Sequence, residues 1–529
     1  MTRESANRED DVTLRAMLHR SACWYPEHES IVDGTCRLTY RDLLDRVRRM
    51  AGLLHDHGVR KGDRVALLTY PSSAHVIALF GAIELGAIPC ALHVRESAGT
   101  LAAVLERLAP RVLVYDGVLA PLAATLRTSV PLITHAVCAV SELTPSAYVT
   151  KTGDACIPAD LDRYPPELDP VPLAIDDVAV IILSSGTTGI PKGIMHTHRT
   201  QMASARAGVR MVGASPSSAI VNVSSTAFVG WYNCTLPFLM AAGKVVLQPH
   251  WDPEGYLQRV QAERATFAFL VPTMWRMVLG KDPELHRLPA LACAAYAGEP
   301  MDRTTLRRIR ERVCRRVLNV YGATETGAWA GGTAMLIEDE AGMERLDSVG
   351  KPLLGSDLRV IKPGGDPDDV LPAGEEGEVI IRGASVASEA WDQPEIGRQR
   401  MVGPWWRSGD LGLIDAQGYV YLRGRVDDMI ISGGINIMPN EIEETLLSHA
   451  SVADCAVIGV PDERWGQRVV AFIVCRDTVT PEQLARYLEV SGLSSYKHPR
   501  EYHFVDDLPR GNTGKVARRE LRARYPTQT

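Results

Sequence analysis

Between Ile181 and His198 the chain reads IILSSGTTGIPKGIMHTH, and residues 184 to 192 at its centre have the composition of an anion cradle. Gly186 and Gly189 permit positive φ, Ser184, Ser185, Thr187 and Thr188 bring hydroxyl donors, and Lys192 adds a cation. Such a segment can wrap a phosphate. It is not a Walker loop, in which the lysine follows a glycine, precedes Ser or Thr and opens a helix; here Pro191 precedes Lys192 and Gly193 follows it. Proline biases the residue before it away from helix, so Ile190 is expected to be extended and Lys192 to sit on a movable turn.

A cradle of this kind needs a strand to present it. Residues 178 to 183, Val-Ala-Val-Ile-Ile-Leu, have the length and β-branching of one buried on both faces. Upstream, Leu43, Leu44, Val47, Met50, Leu53 and Leu54 share one helical face, with Thr39 and Asp42 as cap and Gly58 as stop. Strand-like and helix-like stretches then alternate through residues 64–68, 75–92, 98–108 and 111–115, and again from 267 to 320, as in a doubly wound α/β sheet. Residues 144–177, rich in Pro and Asp, read as a surface connection, while 348–352 and 374–383 read as turns of a β-rich subdomain. After residue 425 one helix is expected to be capped by Asn440 with Glu443 and another by Thr480 with Gln483, with strands at 455–458 and 469–474, a compact α+β unit.

Composition narrows the function. The chain has 529 residues, 46% hydrophobic and 23% charged, with a net charge of −7, which gives no general attraction to nucleic acid. Its ten cysteines show no metal-ligand spacing, and its N-terminus has no targeting pattern, which together point to reduced thiols and the cytoplasm. The longest apolar region, residues 75–92, is broken by Glu84 and Pro89 and is not expected to span a membrane.

The 184–192 loop, together with Asn319-Val-Tyr-Gly-Ala-Thr-Glu-Thr-Gly327 and the Gly418–Glu443 stretch, resembles the acyl-adenylate-forming family, most closely its aryl- and medium-chain acyl-CoA ligases. The resemblance implies a large AMP-binding domain over residues 1–424, with doubly wound sheets and a β-rich subdomain, and a small mobile α+β domain over 425–529. It implies that Tyr321 stacks on adenine, that Thr324 meets the α-phosphate and that Glu325 holds Mg²⁺. Gly298, Glu299, Pro300, Asn319 and Gly322 are expected around the nucleotide, Asp410 on the ribose hydroxyls and Arg425 on the nucleotide. Asp427 corresponds to the hinge and Lys515 to the catalytic lysine. Phe228 falls where the family has an aromatic wall of the acyl pocket, and Gly230, Gly298, Gly322, Gly327 and Ala328 would leave that pocket roomy. Gly433 and Gly434 would line a pantetheine tunnel, and Lys497 and Arg500 are candidates for the phosphates of CoA. Arg518, Arg519, Arg522 and Arg524 read as a solvated helix face.

The implied chemistry has two steps. A carboxylate attacks the α-phosphate of MgATP to give acyl-AMP and pyrophosphate, and the thiol of coenzyme A then displaces AMP. Both partners of the first step are anions, so catalysis must be charge neutralisation and alignment, here by the loop, by Lys192, by Lys515 and by Mg²⁺ on Glu325. An adenylating enzyme that loads a carrier-protein phosphopantetheine or an amine is the alternative, and a non-catalytic nucleotide-binding protein is a second. The acid is expected to be aromatic, alicyclic or medium-chain; a homodimer is one of the oligomeric states left open.

Overall fold

The strand Arg64–Leu68 serves two cores at once: Val65 and Leu67 join one buried cluster, while Ala66 and Leu68 join another. The same alternation recurs in Val112–Asp116, where Val112 and Val114 face one way and Leu113 and Tyr115 the other. This is the period-two signature of strands covered on both faces. The computed structural model describes residues 12–141, 153–167, 169–184, 190–281, 288–510 and 516–524. The chain divides into two compact units, the larger running to Leu358 and including Ile381–Trp406, the smaller made of Arg359–Ile380 and the chain from Arg407 onward.

The larger unit holds two sheets. In one the order is Ala155–Ile157, His135–Ala139, Val112–Asp116, Arg64–Leu68, Ile88–Ala91, Val178–Ser184 and Lys192–Thr197, parallel throughout except for the last pair. The other has a parallel centre, from Glu29–Asp33 through Lys244–Leu247, Ala219–Asn222, Phe267–Phe269 and Cys293–Ala297 to Val317–Tyr321, with antiparallel strands at its margins. Helices Tyr40–Asp56 and Ser73–Glu84 share a core with residues of both sheets. Ser73–Glu84 is buried all round, from Ala74 to Ile83, which is why its sequence has no polar face. Tyr40–Asp56 begins with the Thr39/Asp42 capping box read from the sequence.

In the smaller unit a sheet runs Ile435–Ile437, Ile430–Ser432, Gly466–Cys475, Val452–Asp462, with Glu501–Phe504 added parallel to Gly466–Cys475. The fold is thus mixed α/β in the larger unit and α+β in the smaller. Among the described residues no helix is long and apolar enough to cross a membrane.

Four local expectations are corrected. Residues 348–352 and 377–383 are strands, Ser348–Pro352 and Gly377–Gly383, because Val349, Val379, Ile380 and Ile381 supply β-forming residues between the glycines. The polar stretch before residue 177 contributes a short strand, Ala155–Ile157, which pairs with His135–Ala139 through two buried apolar positions. The helix Pro439–Leu447 is not capped by Asn440: Pro439 takes its first position and Met438 the cap. Lys192 is the first residue of a strand rather than part of a turn, since it pairs across from Ser184.

Candidate functional site

In the larger unit the cradle is mounted on a hairpin. Val178–Ser184 runs out to the segment and Lys192–Thr197 runs back antiparallel, with Ser184 opposite Lys192 and Leu183 opposite Gly193. Gly193 is required there, because a Cβ would stand 2.7 Å from Ile181 Cγ2. Ser185, Gly186, Thr187, Thr188 and Gly189 lie outside the described residues.

The second motif lies at the carboxyl end of Val317–Tyr321 and turns through the single-turn helix Thr324–Thr326. His196, four residues beyond Lys192 on the returning strand, joins the two motifs: its Nε2 donates to the Thr324 carbonyl at 2.9 Å, and Thr200 Oγ1 stands 3.2 Å from its Nδ1. Because a carbonyl only accepts, the proton is on Nε2. The ring is fully buried, and burial pushes its pKa down to about 4, so it bonds as a neutral imidazole. A strap made by residues 385–391 completes the join. Ala387 N donates to Glu325 O at 2.7 Å, Ser385 Oγ to Thr326 O, and Trp391 N to Gly193 O at 2.7 Å.

Every carbonyl of the Thr324–Thr326 turn is therefore engaged, which fixes where the Glu325 side chain starts. A single half-buried carboxylate so held suits Mg²⁺, which takes one or two carboxylates and draws its remaining ligands from phosphates and water. Among the described residues no group of three or more His, Cys, Asp or Glu side chains could hold a metal.

The other expected nucleotide and acyl residues have distinct surroundings. Gly298 has φ +93° at the end of Cys293–Ala297, and a Cβ there would meet nothing within 4 Å, so the position is open. Glu299 accepts from Thr273 Oγ1 at 3.1 Å, and Pro300 is exposed. Asn319 is buried and donates to the Ser348 carbonyl at 3.4 Å. Tyr321 is half-buried at the end of its strand. Gly322 is glycine for packing, since a Cβ would stand 2.7 Å from Ala328 Cα; Gly327 lies at φ +64° against Ser385, and Ala328 at +53°. Phe228 precedes the helix Val229–Met240 and stacks on His93 with ring centroids 5.0 Å apart, while a Cβ on Gly230 would meet nothing closer than 3.8 Å.

In the smaller unit Asp410 and Arg425 face each other across a hairpin. Arg425 Nη1 donates to Asp410 Oδ1 at 2.7 Å and to the Ser408 carbonyl at 3.1 Å. Asp427 is exposed on the turn Val426–Asp428 that follows. Gly433 and Gly434, at φ +60° and +80°, form the turn between Ile430–Ser432 and Ile435–Ile437. Gly433 N donates to the Trp465 carbonyl at 2.7 Å, and the Trp465 ring carries the Arg500 guanidinium at 4.4 Å and that of Arg464 at 4.8 Å. Lys497 is instead paired with Glu441 at 2.6 Å. Lys515 lies outside the described residues.

Three residues were missed in the sequence. His196 bonds a carbonyl 128 positions away, which leaves no local signal. Trp465 adjoins Arg464, a cation–π signal available from the sequence, but Arg500 reaches the ring only through the fold. Arg518, read as part of a solvated face, is turned inward: it shares its helix face with the buried Leu521, three residues on, and pairs with Glu443 at 2.7 Å.

Residues 18–391 match the family described as AMP-binding enzyme, and residues 441–515 match the AMP-binding enzyme C-terminal domain. A feruloyl-CoA synthase from Amycolatopsis sp is 33% identical over 514 residues, covering 96% of this chain and 98% of that protein. The long-chain-fatty-acid–CoA ligase FadD13 of Mycobacterium tuberculosis (strain ATCC 25618 / H37Rv) is 30% identical over 516 residues, with the same coverage. The solved O-succinylbenzoate coenzyme A synthetase from Bacillus subtilis, in complex with ATP and magnesium ion, superposes with a TM-score of 0.81 at 25% identity, over 96% of this chain and 98% of that one.

Proposed function

The chain belongs to the AMP-binding enzyme family and is an AMP-forming acid–thiol ligase, and from that premise we propose which acid it takes and how its residues divide the work. It activates a carboxylic acid with ATP as the acyl-AMP and passes the acyl group to coenzyme A. The acid is aromatic, alicyclic or medium-chain. The observation carrying this reading is the flat wall that Phe228 makes by stacking on His93, next to the uncrowded Gly230. The name of the feruloyl-CoA synthase relative agrees with it and that of FadD13 does not, so the choice is experimental.

In the first step a carboxylate oxygen bonds to the α-phosphorus of ATP and the bond to pyrophosphate breaks. Lys192 and the cradle hold the phosphates from the larger unit, Thr324 donates to the α-phosphate and Tyr321 receives the adenine. Glu325 would hold Mg²⁺, which would supply neutralisation of phosphate charge. Lys515 brings the cation that steadies the incoming carboxylate. Asp410 receives the ribose hydroxyls, with Arg425 fixing its carboxylate. In the second step the coenzyme A sulfur, having lost its proton to solvent, bonds to the acyl carbon as the bond from that carbon to the phosphate oxygen breaks and AMP leaves. Arg500 and Arg464, splayed over Trp465 beside Gly433, form a cationic edge for the phosphates of coenzyme A. The alternation requires the residues beyond Asp427 to turn about it, withdrawing Lys515 once acyl-AMP has formed. Ten cysteines, none of them in a disulfide among the described residues, and the two nucleotide substrates suit the cytoplasm.

A panel of aryl, alicyclic, medium-chain and long-chain acids, assayed for pyrophosphate release with and without coenzyme A, tests the substrate class. Aryl and medium-chain acids are expected to give the highest kcat/KM, with thioester formed only when coenzyme A is added. A preference for long-chain acids would contradict the pocket reading.

A further inference from the structure

The strap from Ser385 to Trp391 touches both phosphate motifs of the larger unit. Lys192–Thr197 is the outermost strand of its sheet, and the strap lies antiparallel along its open edge. Trp391 N donates to Gly193 O at 2.7 Å, Met195 N donates to Glu389 O at 3.0 Å, and Ala390 stands opposite Ile194. A little earlier in the chain Ala387 N donates to Glu325 O at 2.7 Å. Ala387, Ala390 and Ile194 bury one small apolar cluster, with Ile396 packed on it. A short run of main chain thus joins the residue next to Lys192 to Glu325 itself. Trp391 fastens one end of that run to a part of the fold outside the site. Its Nε1 donates to the carbonyl of Arg107, in the last turn of the helix Ala98–Leu108, at 3.1 Å, and the Arg64 guanidinium lies 5.1 Å from its ring centroid. Arg64 donates in turn to the Leu108 and Ala109 carbonyls at 2.9 and 2.7 Å, so the ring meets a cation that is already held. The ring also packs against the core cluster containing Leu101, Leu105 and Leu183. Ser385, fully buried, fastens the other end through its bond to Thr326 O.

We propose that the strap sets the separation of Lys192 and Glu325, and that Trp391, which holds it in place, is a positioning residue for MgATP. A short run of chain bonded at both ends and packed between them has little slack. Lys192 and Glu325 serve one triphosphate together, so a shift of about 1 Å in their separation weakens both. The remaining nucleotide contacts do not depend on the strap: Tyr321 receives adenine, Asp410 the ribose, and Thr324 keeps its own tie to His196. AMP lacks the phosphates that Lys192 and Glu325 serve. Loss of the spacing therefore weakens MgATP and spares AMP. This inference rests on the roles given above to Lys192 and Glu325.

The test measures equilibrium binding of MgATP and of AMP to the full-length enzyme by calorimetry, beside the two half-reactions: acid-dependent ATP–pyrophosphate exchange, and conversion of supplied acyl-AMP with coenzyme A. Trp391→Leu removes the ring and its Nε1 donor. It is expected to raise the Kd for MgATP about 10-fold and to lower exchange by about as much, with the Kd for AMP and the thioester step within about twofold of wild type. Trp391→Phe, which keeps an aromatic face for Arg64, should recover part of the loss. With Glu325→Gln already present, Trp391→Leu should cost MgATP binding little further, as residues acting through one group are non-additive. A tryptophan that only stabilises the fold would weaken both nucleotides alike, so equal loss for AMP and MgATP, or MgATP binding untouched by Trp391→Leu, would overturn the proposal. Lys192→Ala and Glu325→Gln check the reading beneath it and should each weaken MgATP selectively. Unchanged MgATP binding in those two variants would remove the roles of Lys192 and Glu325, whereas a selective loss there without one in Trp391→Leu would remove the role of the strap alone.

Discussion

The two units hold their functional residues by different means. In the larger unit the Thr324–Thr326 turn is fixed by neutral bonds: a buried imidazole, a serine hydroxyl and main-chain amides. In the smaller unit Asp410–Arg425, Glu441–Lys497 and Glu443–Arg518 are all ion pairs, with side chains from 12% to 48% exposed. Neutral buried bonds feel little of the salt outside, whereas part-exposed pairs are screened by it. The larger unit thus holds its turn by contacts that salt should barely touch, and the smaller holds its charged groups by contacts that salt should weaken.

Four perturbations bear on that contrast. The largest should come from the larger unit's own charge: Glu325→Gln is expected to reduce acid-dependent exchange about 100-fold or more, without changing the conversion of supplied acyl-AMP as strongly. His196→Ala should lower exchange about tenfold by freeing the Thr324 carbonyl, and the loss should be insensitive to added salt, as measured between low and high ionic strength. Trp465→Ala removes the surface on which Arg464 and Arg500 lie; it should raise the KM for coenzyme A about fivefold and leave exchange unchanged, and that loss should shift with salt. The smallest effect concerns stability. Burial pushes His75 down to about 3 and both His196 and His198 to about 4, all in the larger unit. A depressed histidine contributes stability above its unfolded pKa, near 6.5, and loses it as pH falls toward the folded value. Thermal unfolding followed between pH 7 and pH 5 should therefore move the larger unit's transition downward by a few degrees, on the order expected for small linkage terms.

Much of the scaffold could be read from the sequence because its signals are local. The β-branched run before Ser184, the Thr39 capping box and the helix Ala98–Leu108 each depend on neighbours within a few residues, and each was found where expected. What escaped was set by distant partners. His196 has no meaning until the Thr324 turn arrives beside it, and Arg518 looks solvated because charge is a poor guide to burial when Glu443, 75 positions away, supplies the countercharge. The strand Ala155–Ile157 was hidden for the same reason: two apolar residues in a polar stretch become a strand only beside a sheet edge.

The central claim is that a cation on the smaller unit is needed to bring two anions together and is dispensable once they have reacted. Lys515→Ala measured in both half-reactions tests it directly. Acid-dependent exchange should fall by about three orders of magnitude or more, while supplied acyl-AMP is still converted to thioester at close to the wild-type rate. Exchange retained near the wild-type level, or thioester formation lost in equal measure, would contradict it.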